Sequence, residues 1–339
     1  MKRFLAILLL ISLLCLCGCG SSASQPTTST TETTAETTTE STAETTTAST
    51  APESSAAIEP PAATCTPVLY KVTAENGAVL YLFGSIHATD SRAFPLPAYV
   101  MQAYEESDYL AVECDLNAFA SDIAAQTDMA MKMVLSDGTT IADHIGEDVY
   151  TAAKELLSAN GLYYSVFDMY GPAMWMSLVE SAVVEMSGLD SEDGIDLYFL
   201  ELAAEENKEI REVESAEFQY NMLLGFSDEL MTFIISSTTD DPKGAADATA
   251  ALYETWLAGD EEALITMLEE DVPQEEAELY AEYQTKVVTE RNLGMADTAE
   301  AYLAQGGTGF FVVGAAHILG EGGCADLLAA RGYTVERVE

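Results

Sequence analysis

The chain has 339 residues, of which 57 are Asp or Glu and only 13 are Lys or Arg, giving a formal net charge of −44. A surface this acidic repels phosphates, which excludes nucleic acid as a partner and leaves anionic lipid headgroups equally unattractive. Any hold on a membrane must therefore come from somewhere other than the charged surface.

Taken in chain order, Lys2 and Arg3 precede an almost unbroken apolar run over 4–16. That run is too short to span a bilayer comfortably and reads as a secretory signal, residues 1–18. It ends in Leu16-Cys17-Gly18-Cys19, which resembles the lipobox of bacterial lipoproteins. The resemblance implies a cut before Cys19, a lipid on its thiol, and an extracytoplasmic protein anchored to the cell membrane. Residues 19–66 are almost entirely Ser, Thr, Ala, Glu and Pro. With so little apolar surface to offset the entropy of ordering, this stretch is expected to be a disordered linker. A flexible chain of that length holds its two ends roughly 35–40 Å apart. The remainder, 67–339, is the expected folded region. Once Cys15, Cys17 and Cys19 are accounted for, Cys65, Cys114 and Cys324 remain, without metal-ligand spacing. An odd number leaves two arrangements, one disulfide with a spare thiol or three buried thiols.

The folded region opens with apolar runs at 68–72 and 79–83 around Glu75-Asn76-Gly77, a hairpin signal. A helix over 98–107 and a strand at 109–112 ending in Glu113 follow. Apolar residues at helical spacing then fill 118–134, 149–157 and 173–186. Gly194 opens a helix over 195–206, and a short strand at 209–213 ends in Glu214. A second helical region covers 216–305, with a break at Asp240-Asp241-Pro242. The chain closes with a strand at 309–313, a helix at 324–330 and a strand at 333–338. Strands near both termini and one in the middle imply an α/β fold, a mixed sheet flanked by helices with a large helical insertion.

Two of the three histidines share one context. Tyr81-Leu82-Phe83-Gly84-Ser85-Ile86-His87 and Val312-Val313-Gly314-Ala315-Ala316-His317 both run apolar strand, Gly, two small or apolar residues, His. With glycine at about 7% of positions, a Gly three before two of three histidines arises by chance about once in seventy such chains. A glycine there lets the strand turn sharply through positive φ and display the imidazole past its carboxyl end, the edge where α/β sheets bind ligands. Glu113 and Glu214 hold equivalent strand-end positions. Should the four strands be neighbours, two imidazoles and up to two carboxylates converge, a set suited to a divalent transition metal (Mn, Co or Zn) with an open position. His87, Glu113, His317 and Glu214 are thus the candidate ligands, with His87, His317 and Glu113 also candidates for catalysis. His144, in Ile-Ala-Asp-His-Ile-Gly-Glu near a helix start, reads as structural.

These residues resemble the TraB/GumN family. Its first histidine motif matches Gly84-Ser85-Ile86-His87 with Phe94-Pro95-Leu96-Pro97 after it, and its glutamate matches Glu113. Its middle motif matches Gly194-Ile195-Asp196 and Glu214, and its Arg-Asn pair matches Arg291-Asn292 before Met295. The second histidine motif matches Gly314 to Gly323, with Arg331-Gly332-Tyr333 following. The resemblance covers about 68–338. It implies a fold related to the erythromycin-esterase and ChaN-like proteins, metal-dependent hydrolysis of peptides, and a substrate-binding or carboxylate-orienting role for Arg291 and Asn292. Two other functions compete: a surface lipoprotein that holds a metal or haem without turnover, and a metal-free hydrolase of small molecules in which His87 or His317 is the base. No Gly-x-Ser-x-Gly elbow occurs, which disfavours serine catalysis.

Overall fold

A computed structural model of the protein describes residues 63–268 and 272–339. The signal segment, Cys19 and most of the expected linker lie outside the described residues. The last linker positions are firmly attached: Thr66 N–H donates to the Leu257 carbonyl at 2.8 Å, and Cys65 is buried with its thiol 3.3 Å from the Ala93 carbonyl. Residues 64–66 read as linker from composition, yet backbone pairing and one buried sulfur fix them to the domain.

Six strands form one sheet: β1 (Leu69–Thr73), β2 (Val79–Ser85), β3 (Tyr109–Val112), β4 (Glu209–Glu212), β5 (Thr308–Gly314) and β6 (Thr334–Arg337), in the order β4-β3-β5-β2-β1-β6. The hairpin signal is realised, with Thr73 opposite Val79 and Gly77 at φ 84°, where a side chain would be strained. β4, β3, β5 and β2 run parallel, while β1 is antiparallel to both β2 and β6. The mixed α/β sheet expected from the scattered strands is therefore present. β2, β3 and β5 are buried almost throughout, which explains why they read as unbroken apolar runs rather than alternating ones.

Helices cover both faces, and the aromatic centre of the sheet core is Phe83, Tyr104, Phe199 and Phe310. The long stretches between strands pack a second core of their own around Trp175, Phe233 and Ile234. One predicted helix, 118–134, is two: Leu116–Ser121 and Ile123–Met133. Between them Asp122 accepts from the amides of Ala124 and Ala125, so a local cap interrupts a periodicity that spacing alone carries straight through. Cys65, Cys114 and Cys324 are all free and buried, the second of the two arrangements the sequence left open. Among the described residues no helix is long and apolar enough to cross a membrane.

Gly309 on β5 stands opposite Tyr109 on β3, and a Cβ there would run into the tyrosine ring. Gly309→Ala is expected to cost about 1–3 kcal/mol in urea unfolding as an overpacked core position. The same change in a Tyr109→Ala background is expected to cost less than about 1 kcal/mol, since the clashing ring is gone.

Candidate functional site

The parallel pairing of β2, β5, β3 and β4 brings their carboxyl ends to one edge of the sheet. His87 lies two residues beyond β2, Glu113 directly after β3, Glu214 two beyond β4, and His317 in the short helix Ala315–Ile318 that follows β5. All four expected residues are thus gathered at that edge. The motif glycines act differently from expectation. Gly84 is not among the positive-φ residues, and Gly314 has φ −49°. What Gly84 supplies is space: a Cβ there would sit 3.1 Å from the Ala315 Cα, so any side chain would press the two histidine turns apart by a few tenths of an ångström. Gly194 does the same for the middle motif, since a Cβ would come within 2.5 Å of the His87 carbonyl oxygen.

Arg291, in the helix Glu290–Gln305, is buried between the two carboxylates. Its Nη2 donates to Glu113 Oε2 at 2.7 Å and to Glu214 Oε2 at 2.8 Å, and its Nε donates to Glu214 Oε1 at 3.0 Å. Gln219 Nε2 donates to both acids, at 2.9 Å and 2.8 Å, and Gly314 N–H donates to Glu113 Oε1 at 2.7 Å. Burial alone would push the Glu113 carboxyl up. The Arg291 guanidinium, both imidazoles and the Gly314 amide overcome that and hold it below the usual carboxylate range. Arg291 keeps one nitrogen, Nη1, buried without a hydrogen-bond partner.

The two histidines are oriented alike and charged differently. His87 Nδ1–H donates to Asp196 Oδ2 at 2.7 Å, and Asp196 Oδ1 accepts from Ser85 Oγ at 2.7 Å. His317 Nδ1–H donates to the Asn292 side-chain oxygen at 2.7 Å, while Asn292 Nδ2 donates to the Gly322 carbonyl at 2.9 Å. In both rings the bond at Nδ1 leaves Nε2 to face the site, and for His317 that atom is buried and unpartnered. Burial disfavours charge on each ring. For His87 the Asp196 carboxylate outweighs it and raises the pKa to about 9. His317 has only a neutral amide behind it, and burial with the nearby Arg291 charge lowers its pKa to about 3. Near neutrality one imidazole is therefore cationic and the other neutral, the separation that assigns acid and base roles.

Asp196 falls in the Gly194-Ile195-Asp196 motif, and its function becomes legible only when its helix is docked on His87. Gln219 had no sequence signal at all. Arg291, expected to bind substrate or orient a carboxylate, bonds Glu113 and Glu214, and Asn292 bonds His317 and the Gly322 carbonyl. His144 bonds Thr139 and Asp228, away from this edge, as a structural residue does.

For a metal, the donor set divides. The two imidazoles fit, each anchored at Nδ1 with Nε2 free, and the orphaned His317 Nε2 is the strongest single indication of a missing partner. The carboxylates do not, because both hold Arg291. Among the described residues no three His, Cys, Asp or Glu side chains are arranged to hold a metal ion.

A mixed α/β sheet with paired imidazoles and a clamped carboxylate pair at its carboxyl edge defines the class to which this chain belongs. The family model described as TraB/PrgY/gumN matches residues 68–337, and the chain is a member of that family. It is 24% identical over 168 residues to the uncharacterized protein YbaP of Escherichia coli (strain K12), covering 50% of this chain and 60% of YbaP, and equally so to its Shigella flexneri counterpart. The alignment thus spans less than two thirds of those relatives. No solved structure matches the chain.

The His87–Asp196 pair sets a pH dependence. A raised pKa contributes stability that is present below the free-histidine value of 6.5 and is lost as pH rises through about 9. Urea midpoints are expected to fall across that window in the wild type and to stay flat in Asp196→Asn. By NMR the His87 ring should titrate near pH 9, and below 6.5 in Asp196→Asn, where burial acts without its opposing carboxylate.

Proposed function

We propose that this chain is a hydrolase, a peptidase acting outside the cytoplasm and held to the membrane by lipid on Cys19. The lipobox-like Leu16-Cys17-Gly18-Cys19 and the TraB/GumN resemblance support the address and the peptide substrate. The observation that carries the chemistry is the pair of unlike imidazoles whose Nε2 atoms are left free beside the Glu113–Arg291 clamp.

Three polar atoms carry the reaction in this reading, two of them, His317 Nε2 and Arg291 Nη1, buried beneath the surface of the site. Protonated His87 offers Nε2–H to the leaving nitrogen of a scissile amide. Neutral His317 offers the Nε2 lone pair to an attacking water. The unpartnered Arg291 Nη1 donates toward the oxygen on which negative charge develops. Glu113, locked between Arg291, Gln219 and the Gly314 amide, holds Arg291 and the turn that leads to His317 in place without itself titrating near neutrality.

A second reading rests on the orphaned His317 Nε2. His87 and His317 would hold a divalent transition ion, manganese, cobalt or zinc, through their Nε2 atoms, and such an ion supplies an acidified water as nucleophile. Glu113 and Glu214 would then stand behind it, bound to Arg291, as a source of negative field.

The test is metal content by mass spectrometry on the purified chain and on the His87→Ala/His317→Ala double variant, run beside hydrolysis of a fluorogenic peptide library. Turnover is expected to fall at least about 100-fold in the double variant with the fold retained. Stoichiometric metal that vanishes with the histidines, and activity abolished by chelation, select the metal reading. Activity that survives chelation selects acid–base catalysis alone. If the wild type hydrolyses no peptide faster than the double variant, the peptidase reading is wrong.

A further inference from the structure

Glu180 lies on the helix Pro172–Ser187 among Ser177, Val179, Val183 and Val184, in the apolar part of the insertion. It is only 4% exposed, and neither carboxylate oxygen has a hydrogen-bond partner. A buried, unpartnered acid is costly, and nothing in the clamp or the histidine pairs uses this one. It lines a cavity of about 590 Å³ whose other wall is the segment just after His87. The two walls are joined by backbone bonds of 2.9 and 2.8 Å between Thr89 and Asp190, and by Thr89 Oγ1 donating to the Asp193 carbonyl at 2.7 Å.

The lining has one sign of charge. Asp90, Glu180, Glu185, Asp190 and Asp193 contribute to it, and no Lys, Arg or His does. Asp90 is already paired with Arg92 outside the cavity, which leaves four carboxyl groups for an occupant. Leu162, Val184 and Leu189 provide an apolar stretch of wall beside them. A buried acid in the lining, alkyl-compatible walls and exposed acids beside them match a long aliphatic side chain that ends in positive charge.

We infer that this cavity is a subsite for a cationic side chain, an alkylammonium or alkylguanidinium such as those of lysine and arginine, with Glu180 as its buried anchor. Naming the occupant as part of a substrate rests on the hydrolase reading; the preference for a cation does not. Burial pushes the Glu180 carboxyl well above the usual carboxylate range, which favours its neutral form. Tyr283 stands within its electrostatic reach, and Asp90, Glu185, Asp190 and Asp193 share the cavity with it. An arriving cation gives the ionised form the partner it lacks, so binding releases a proton.

Calorimetric titration of the full chain with butylguanidinium and pentylammonium, against neutral pentanol, tests this. Both cations are expected to bind saturably and pentanol not at all. Comparing buffers of different ionisation enthalpy should show about one proton released per cation bound. Glu180→Gln, nearly the same shape, should weaken binding at least about 10-fold and abolish the proton release. Should that variant fail to fold, Glu185→Gln on the exposed end of the same wall should weaken binding about 2- to 3-fold. Equal binding of pentanol, or unchanged cation affinity in the folded variants, overturns the subsite. Because binding is read without turnover, a chain that binds cations and hydrolyses nothing loses only the hydrolase reading. A chain that hydrolyses peptides but binds neither cation loses only the subsite.

Discussion

The site depends on one buried cation. Among the described residues Arg291 is the cation that holds both Glu113 and Glu214, and through Glu113 it reaches the Gly314 amide where β5 turns toward His317. Removing two carboxylates from water is expensive, and a single guanidinium offsets that cost only because its planar fork meets both acids while Gln219 and a backbone amide take up remaining lone pairs. The arrangement therefore adds little net stability and a great deal of definition. It permits one relative placement of three strand ends and the helix Glu290–Gln305. Asn292, the next residue on that helix, is carried into position against His317 by the same docking. A lysine could balance part of the charge but could not span both carboxylates with one planar group.

The repeated Gly-x-x-His motif produces two histidines with the same orientation and opposite protonation. Sequence symmetry places the rings; what stands behind them decides their charge. A carboxylate behind His87 and an amide behind His317 separate their affinities for a proton across the neutral range. Both backing residues come from outside the motifs, Asp196 from the helix after Gly194 and Asn292 from the helix before β5. A symmetric pair of like rings could hold a ligand between them. An asymmetric pair can also move a proton in one direction, because donor and acceptor are distinct before any substrate arrives.

This contrast explains how much could be read from the chain. Strand ends were legible because β2, β3 and β5 are buried on both faces and their apolar runs stop where the chain leaves the core. His87, Glu113 and His317 follow directly from those stops, whereas Glu214 follows the partly exposed β4. The role of glycine was misread for the same reason: a local rule about positive φ was applied where the constraint is a contact between Gly84 and Ala315, more than two hundred positions away in the chain. Gln219 and the partnering of Asp196 are likewise properties of docking between elements, which no spacing along a single segment encodes. Glu180 was hidden differently, by sitting in a helix so apolar that one acid in it attracts no notice. Its isolation is visible only when every possible partner is seen to be absent.

Sheet edge and helical insertion thus divide the work. The edge supplies groups whose placement is dictated by strand register, and register cannot shift by one residue without turning every buried side chain to the other face. The insertion is free of that constraint, and its helices bring Glu180 and the acidic wall up to the segment carrying His87. The general acidity of the chain is a poor instrument of selectivity, since exposed charges act over about 8–10 Å and fade in salt. A carboxyl group sealed from solvent is not screened in that way, and it discriminates by whether an occupant can satisfy it. Selectivity for charge in this protein is therefore to be sought at Glu180, a buried acid that no cation among the described residues holds.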